Sequence, residues 1–109
     1  MPNLTKHDLC TPALICDLDL FESNLRTMAS YTRAGGVRLR PHAKSHKCPE
    51  IARRQIKAGA VGVCVATLRE AEVMAQAGLP GILITSELVG EPKIGRLMNL
   101  VERHPDKPY

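Results

Sequence analysis

Apolar residues follow two spacings along this chain, short continuous or alternating runs and longer segments with a helical period. Four runs rich in aliphatic residues predict β-strands, at residues 14–20, 37–44, 61–66 and 82–86. The last two are apolar almost throughout, which is typical of parallel strands covered on both faces. Each run is followed by a segment in which apolar residues recur every three to four positions, so the pattern predicts strand and helix in alternation.

The four predicted helices have clear boundary signals. They begin near residues 21, 49, 67 and 92 and end at residues 33, 59, 78 and 105. Proline starts the second and fourth, a Thr-x-x-Glu capping box starts the third, and glycine follows the first three. The first helix should bury Phe21, Leu25, Met28 and Ala29. The fourth should bury Ile94, Leu97, Met98 and Val101.

Four consecutive βα units predict an α/β fold with a parallel sheet and right-handed crossovers. Either a doubly wound sheet or part of a (β/α)8 barrel satisfies this pattern. No linker, repeat array or low-complexity tract interrupts it, so residues 1–109 are predicted to form one domain.

The amino-acid composition argues against several classes of function. The chain is 44% hydrophobic and 24% charged, which is typical of a globular protein. Its net charge of +4 is spread along the sequence and only 3% of residues are aromatic, so nucleic-acid binding is not indicated. No apolar run is long enough for a membrane span, and no signal peptide is recognisable. The four cysteines form no C-x-x-C pair, which favours reduced thiols and a cytoplasmic location.

The second predicted strand concentrates the ionisable groups on one face. Alternation places Arg38, Arg40, His42, Lys44 and His46 on that face, opposite four apolar or small residues. A strand in a βα unit is normally covered on both sides, so the charged face is predicted to line a functional cavity, the alternative being an exposed edge strand. Asp17 and Asp19, on the first predicted strand, should supply counter-charges, with Arg40 pairing with one of them.

Lys44 is the main catalytic candidate because it lies at the carboxyl end of its strand, where α/β folds bind ligands. Neighbouring positive charge and burial favour a neutral amine, which a carbonyl-reactive lysine needs. Thr67 could offer its hydroxyl to a ligand or simply cap the third helix. His42 and His46 make a poor metal site because the Lys44 ammonium between them repels a cation.

Other polar and sulfur-bearing residues are weaker candidates. Ser86 and Glu87 should lie on the same rim as Lys44, or in an exposed loop. Cys48 and Cys64 are predicted to be small core residues.

The run R-P-H-A-K-S-H-K-C-P-E-I-A, residues 40–52, resembles the D-threonine aldolase and D-serine dehydratase family of fold-type III enzymes. Residues 11–14, 17–19, 62–67, 70–72 and 84–90 extend the resemblance over nearly the whole chain. These enzymes use pyridoxal 5′-phosphate, and the resemblance implies that Lys44 carries the cofactor as a Schiff base. It also implies an alanine-racemase-like N-terminal barrel, and a divalent metal (Mn or Mg) held by His and Asp residues of a C-terminal region.

The resemblance implies an activity, the cleavage of a β-hydroxy-D-amino acid such as D-threonine to glycine and an aldehyde. Elimination of the D-serine dehydratase type, a non-catalytic pyridoxal-phosphate-binding protein and an inactive truncated product are the alternatives. Arg40 and His42 are expected to support the cofactor ring, and Thr67 to contact the cofactor. Metal ligands are not expected within the chain.

Four units correspond to the first half of an eight-stranded barrel, with the chain ending where a fifth strand should begin. We therefore expect a chain that alone releases no aldehyde and that self-associates, most simply as a homodimer.

Overall fold

The computed structural model describes residues 4–105. Residues 1–3 and 106–109 belong to the predicted domain but lie outside the described residues, as does the expected start of a fifth strand. A short 3₁₀ turn covers Lys6–Asp8. The helices are α1 (Leu18–Ala34), α2 (Pro49–Lys57), α3 (Leu68–Gln76) and α4 (Glu91–Arg103), and the strands are β1 (Val63–Val65) and β2 (Ile82–Ile84).

The sheet is parallel, and β1 lies in its middle. Val63 pairs with Ile82 and Val65 with Ile84. On the other side of β1, residues 39–43 run alongside it as an extended segment, with His42 bridging Cys64 in parallel. Backbone N–H groups of Val61 and Cys64 donate to carbonyls in this segment at 2.9 and 2.8 Å. The predicted second strand is therefore present as a shorter extended segment, and α2 and α3 form the crossovers.

The predicted first strand, residues 14–20, is wrong. Its alternating Leu and Asp residues fit a strand, but the Asp17 carboxylate accepts a hydrogen bond of 3.0 Å from the backbone N–H of Leu20 and caps α1. The helix consequently starts at Leu18. Leu14 precedes it in irregular structure with a relative exposure of 99%. The described residues thus contain α1 followed by three extended segments, each with a helix after it, and not four complete βα units.

One face of the sheet carries the core. Val63, Val65 and Ile82 are fully buried beneath α3, whose Leu68, Ala71, Met74 and Ala75 are buried as well. Ala43, Ala52, Leu79 and Leu100 complete the main cluster. The opposite face has no such cover among the described residues: Cys64 is half-buried there and Leu83 is 40% exposed.

Helix α4 packs on a different face from the one predicted. Leu97 and Leu100 contact the core, whereas Ile94, Met98 and Val101 are exposed. The Arg96 guanidinium binds both oxygens of Glu72 on α3, at 3.0 and 2.6 Å. The pair is partly exposed, so it accompanies the packing of Leu97 and Leu100 on the core and does not by itself determine which face of α4 is buried.

Helix α1 is attached loosely. Phe21, Leu25 and Ala29 are half-buried, as the periodicity predicts, but Met28 is 49% exposed and no residue of α1 is fully buried. A cleft of about 560 Å³ separates the helix from residues 37–41 and from the end of α2. None of the helices within residues 4–105 is long and apolar enough to cross a membrane.

Candidate functional site

The uncovered face of the sheet and the turn beside it carry side chains that the sequence predicts to take part in catalysis or cofactor binding. Ala43 points into the core at 1% exposure, so His42 before it lies on the opposite side, and Lys44 follows in the turn that ends the extended segment. Lys44 is exposed, and its amine has no hydrogen-bond or ion-pair partner within residues 4–105. The sequence therefore correctly places a lysine at the carboxyl end of this segment, but in an open position rather than a buried one.

His42 connects three segments of the sheet. Its Nδ1 accepts a hydrogen bond from the backbone N–H of Lys44 at 3.2 Å. Its Nε2 lies 3.1 Å from Oγ1 of Thr85, which follows β2. That hydroxyl in turn donates to the carbonyl oxygen of Val65, at the end of β1, over 3.0 Å. Thr85 was not singled out from the sequence, although it alternates with Leu83 and so shares its face.

The His46 side chain does not lie beside that of His42. The extended segment ends at Ala43, and residues 43–46 form a turn closed by a 2.8 Å hydrogen bond from the Lys47 N–H to the Ala43 carbonyl. This turn swings His46 towards α2, where its Nδ1 accepts the Cys48 N–H at 3.0 Å. Burial lowers the pKa of His46 there. Period-two alternation could not anticipate this turn.

A second lysine of the motif is held in an ion pair. The Lys47 ammonium lies 2.5 Å from Oε1 of Glu70, and the other oxygen of Glu70 accepts the Ala66 N–H at 2.8 Å. Burial acts to raise the pKa of Glu70, but hydrogen bonds from Lys47 and Ala66 outweigh it and the pKa is lowered. Glu70 thus ties the turn that carries Lys44 to the end of β1.

Thr67 performs the capping role that was one of its two predicted functions. Its hydroxyl oxygen accepts the Glu70 N–H at 3.2 Å at the start of α3. The Glu70 carboxylate takes the N–H of Ala66, one residue before the cap, so the predicted capping box is shifted by one residue on this side. Contact of Thr67 with a cofactor stays a prediction.

The predicted pairing of Arg40 with Asp17 or Asp19 is wrong. Arg40 is half-buried and has no carboxylate partner among the described residues, while Asp17 caps α1. The pairing required residues 14–20 to be a neighbouring strand, which they are not.

The remaining candidates lie as follows. Ser86 and Glu87 are exposed after β2, on the same rim as Thr85. Cys48 and Cys64 are half-buried, so the prediction of core positions is wrong for both. Residues 4–105 bring together no group of three or more His, Cys, Asp or Glu side chains that could hold a metal ion.

Replacing Glu70 with alanine should lower the free energy of unfolding by about 1–3 kcal/mol, because the half-buried Ala66 N–H loses its acceptor. The lowered pKa means that the carboxylate stabilises the fold above its unfolded-state value of about 4.3. This contribution should disappear as the pH falls through the lower, folded-state pKa. Urea unfolding of both proteins at neutral and acid pH measures the difference. Glu102→Ala, an exposed substitution on α4, is the control and should stay within about 0.5 kcal/mol.

The family is established by sequence comparison. Residues 16–102 match the family described as alanine racemase, N-terminal domain, and the chain belongs to that family. This confirms the resemblance drawn from residues 40–52 and selects the barrel-type α/β fold over the doubly wound sheet.

Known relatives are enzymes of D-amino acid chemistry. A D-threonine aldolase of Arthrobacter sp. is 48% identical over 90 residues, which are 83% of this chain and 24% of that protein. A 3-hydroxy-D-aspartate aldolase of Paracoccus denitrificans is 40% identical over 101 residues, 92% of this chain and 26% of that protein. The chain therefore spans about a quarter of the length of the curated relatives it matches.

Two solved structures resemble the fold closely. The D-threonine aldolase of Filomicrobium marinum superposes with a TM-score of 0.86 at 56% identity, over 90% of this chain and 27% of that one. The D-threo-3-hydroxyaspartate dehydratase of Delftia sp. HT23 gives 0.81 at 39% identity, over 87% of this chain and 25% of that one.

Proposed function

We propose that this chain provides the cofactor-binding lysine, Lys44, of a pyridoxal-phosphate-dependent lyase that cleaves β-hydroxy-D-amino acids such as D-threonine to glycine and an aldehyde. The observation that carries the proposal is the exposed amine of Lys44, which has no partner within residues 4–105 and lies just past the segment beside β1, in the run of residues 40–52 that resembles this family. Small D-amino acids are the corresponding substrate class.

The properties of the Lys44 amine fit a cofactor that attaches through an aldehyde group. Reaction with a carbonyl needs an amine that is accessible and can lose its proton. Lys44 satisfies the first condition, and no carboxylate among the described residues holds its charge, unlike that of Lys47. When bound, pyridoxal phosphate supplies an electron sink for bond cleavage next to the substrate nitrogen. For the divalent metal, residues 4–105 provide no matching cluster, so we assign no step to it.

The neighbouring side chains have separable roles in this proposal. His42 holds the Lys44 backbone through Nδ1 and, with Arg40 two residues earlier, supports the cofactor ring from the same face. Arg40 has no carboxylate partner in the described part of the chain, so its charge is available to an anionic group. Thr67 accepts a hydrogen bond from the Glu70 N–H, which leaves its own hydroxyl proton to donate to a ligand.

A dehydratase is the second candidate. The Delftia sp. D-threo-3-hydroxyaspartate dehydratase is 47% identical over 75 residues, about as similar as the aldolases. Elimination of the hydroxyl would use the same lysine and cofactor. Pyruvate release from D-serine, rather than aldehyde release from D-threonine, identifies it.

Self-association is also part of the proposal. Strand β2 is bonded to β1 on one side only within the described residues, and its outer edge is short and apolar. Pairing of two such edges would give a homodimer. A cytoplasmic location stays a prediction.

Borohydride reduction of the chain with pyridoxal phosphate, followed by peptide mapping, tests the assignment. Label should be concentrated on Lys44, because the nearby Arg40 has no carboxylate partner within residues 4–105 and its charge is available to hold the cofactor phosphate, whereas exposure alone would label Lys57 equally. Lys57, exposed at the end of α2, is the internal control for non-specific reaction. Equal labelling of Lys44 and Lys57, or preferential labelling of Lys47, would contradict the proposal.

A further inference from the structure

The geometry points to Thr85 as a positioning residue that fixes the ring of His42 and, through it, the backbone of Lys44. The link to cofactor binding rests on the proposed function. The hydrogen-bond arrangement itself does not, since it follows from contacts within this chain.

The direction of each hydrogen bond is determined. A backbone N–H can only donate, so the 3.2 Å contact from Lys44 makes Nδ1 of His42 an acceptor. The neutral ring must then carry its proton on Nε2. That N–H faces Oγ1 of Thr85 at 3.1 Å and donates to it. The Thr85 hydroxyl is left with one proton, which it donates to the Val65 carbonyl at 3.0 Å.

This arrangement connects the Lys44 backbone to the buried strand β1. Val65 is fully buried, and its carbonyl oxygen accepts both the hydroxyl and the backbone N–H of Thr85, the latter at 2.9 Å. Thr85 is therefore held by two bonds and presents a fixed acceptor to His42. The chain of hydrogen bonds crosses all three parallel segments at their carboxyl ends.

A consequence concerns the role of His42. Both of its ring nitrogens are occupied by partners within the chain, so neither is free to accept a proton from a substrate. His42 orients Lys44, and the group that removes the β-hydroxyl proton must be another one. This goes beyond the roles proposed above for His42, because it names Thr85 as the residue that holds the ring and excludes His42 as the acceptor of the substrate proton.

Thr85→Val and Thr85→Ser test the inference. Valine keeps the shape and removes the acceptor, whereas serine keeps the hydroxyl. In the full chain with ¹⁵N-labelled histidine near pH 8, where imidazole is neutral, the Nε2 proton of His42 should be protected from exchange with water. Thr85→Val should remove that protection, and Thr85→Ser should retain it. Ser86→Ala, a change at the exposed neighbour, is the matched control and should leave the signal unchanged.

The rate at which Lys44 reacts with pyridoxal phosphate gives the second readout. Thr85→Val should slow it roughly five- to tenfold, the effect of one lost hydrogen bond, and Thr85→Ser should restore it. If His42 in the wild-type chain carries its proton on Nδ1, or if Thr85→Val leaves both readouts unchanged, the inference is wrong. If Lys44 forms no adduct in any variant but the protection pattern holds, the proposed function fails and the hydrogen-bond assignment stands. Should Thr85→Val not fold, Thr85→Ala replaces it.

Discussion

Replacing Gly62 with alanine is expected to unfold the chain or to lower its free energy of unfolding by more than about 4 kcal/mol, beyond an ordinary core substitution. A Cβ at Gly62 would overlap the backbone carbonyl oxygen of Gly81 and lie 2.5 Å from its carbonyl carbon. Backbone atoms cannot rotate away as a side chain does. Relief would require β1 and β2 to separate, beginning with the 3.1 Å hydrogen bond from the Val63 N–H to Gly81.

Two glycines serve as controls in the same urea-unfolding experiment. Gly95 lies inside α4 with nothing within 4 Å of an added Cβ, so Gly95→Ala should stabilise the chain by about 0.5–1 kcal/mol. Gly59 has open space but a φ of +116°, so Gly59→Ala reports backbone strain alone, about 1–3 kcal/mol. If Gly62→Ala costs no more than Gly59→Ala, the strands do not approach as closely as described.

The consequence for the site is direct. Gly62 immediately precedes β1, whose last residue, Val65, anchors Thr85 and through it His42. Disturbing the β1–β2 contact should therefore weaken the hold on the Lys44 backbone.

Local signals predicted the helices well. The starts of α2, α3 and α4 follow from Pro49, Thr67 and Pro92, because proline and capping residues act on the first turn alone and need no tertiary context. The strands β1 and β2 follow from continuous aliphatic runs. Lys44 was identified by its place at the carboxyl end of a predicted strand in which charged and apolar residues alternate, and the resemblance supported the same residue.

Features that depend on tertiary register were not predictable in this way. Residues 14–20 alternate as a strand would, but Asp17 is a better helix cap than a strand residue in this setting. His42 and Thr85 are 43 positions apart, and their contact depends on how three parallel segments align. The face that α4 buries likewise depends on contacts with other elements, those of Leu97 and Leu100 with the core and that of Arg96 with Glu72. A pattern within one segment cannot predict contacts between residues of different segments.

The second large effect is expected in a chimera. Grafting this chain in place of the matching quarter of the Arthrobacter D-threonine aldolase should give an enzyme that releases glycine and acetaldehyde from D-threonine, given pyridoxal phosphate and a divalent metal. Conversion of Lys44 to arginine should lower turnover by on the order of 10³-fold or more, because a guanidinium keeps the charge but cannot bond to the cofactor aldehyde. The fold should survive, since the Lys44 side chain has no partner in the described structure.

Control measurements on the chimera and on the ungrafted chain distinguish the aldolase, the dehydratase and the non-catalytic binding protein. Lys57→Arg changes an exposed lysine outside the site and should leave turnover unchanged. The ungrafted chain should release no aldehyde, because Lys44 is exposed to water and Leu83, on the uncovered face of the sheet, is 40% exposed. A Lys44→Arg chimera that keeps its turnover would show that another lysine carries the cofactor. A chimera that releases pyruvate from D-serine but no aldehyde would favour the dehydratase. A chimera that folds and binds pyridoxal phosphate but releases neither product would favour a binding role without catalysis. Lys44 would then be able to attach the cofactor, but the surrounding groups would not be arranged for bond cleavage.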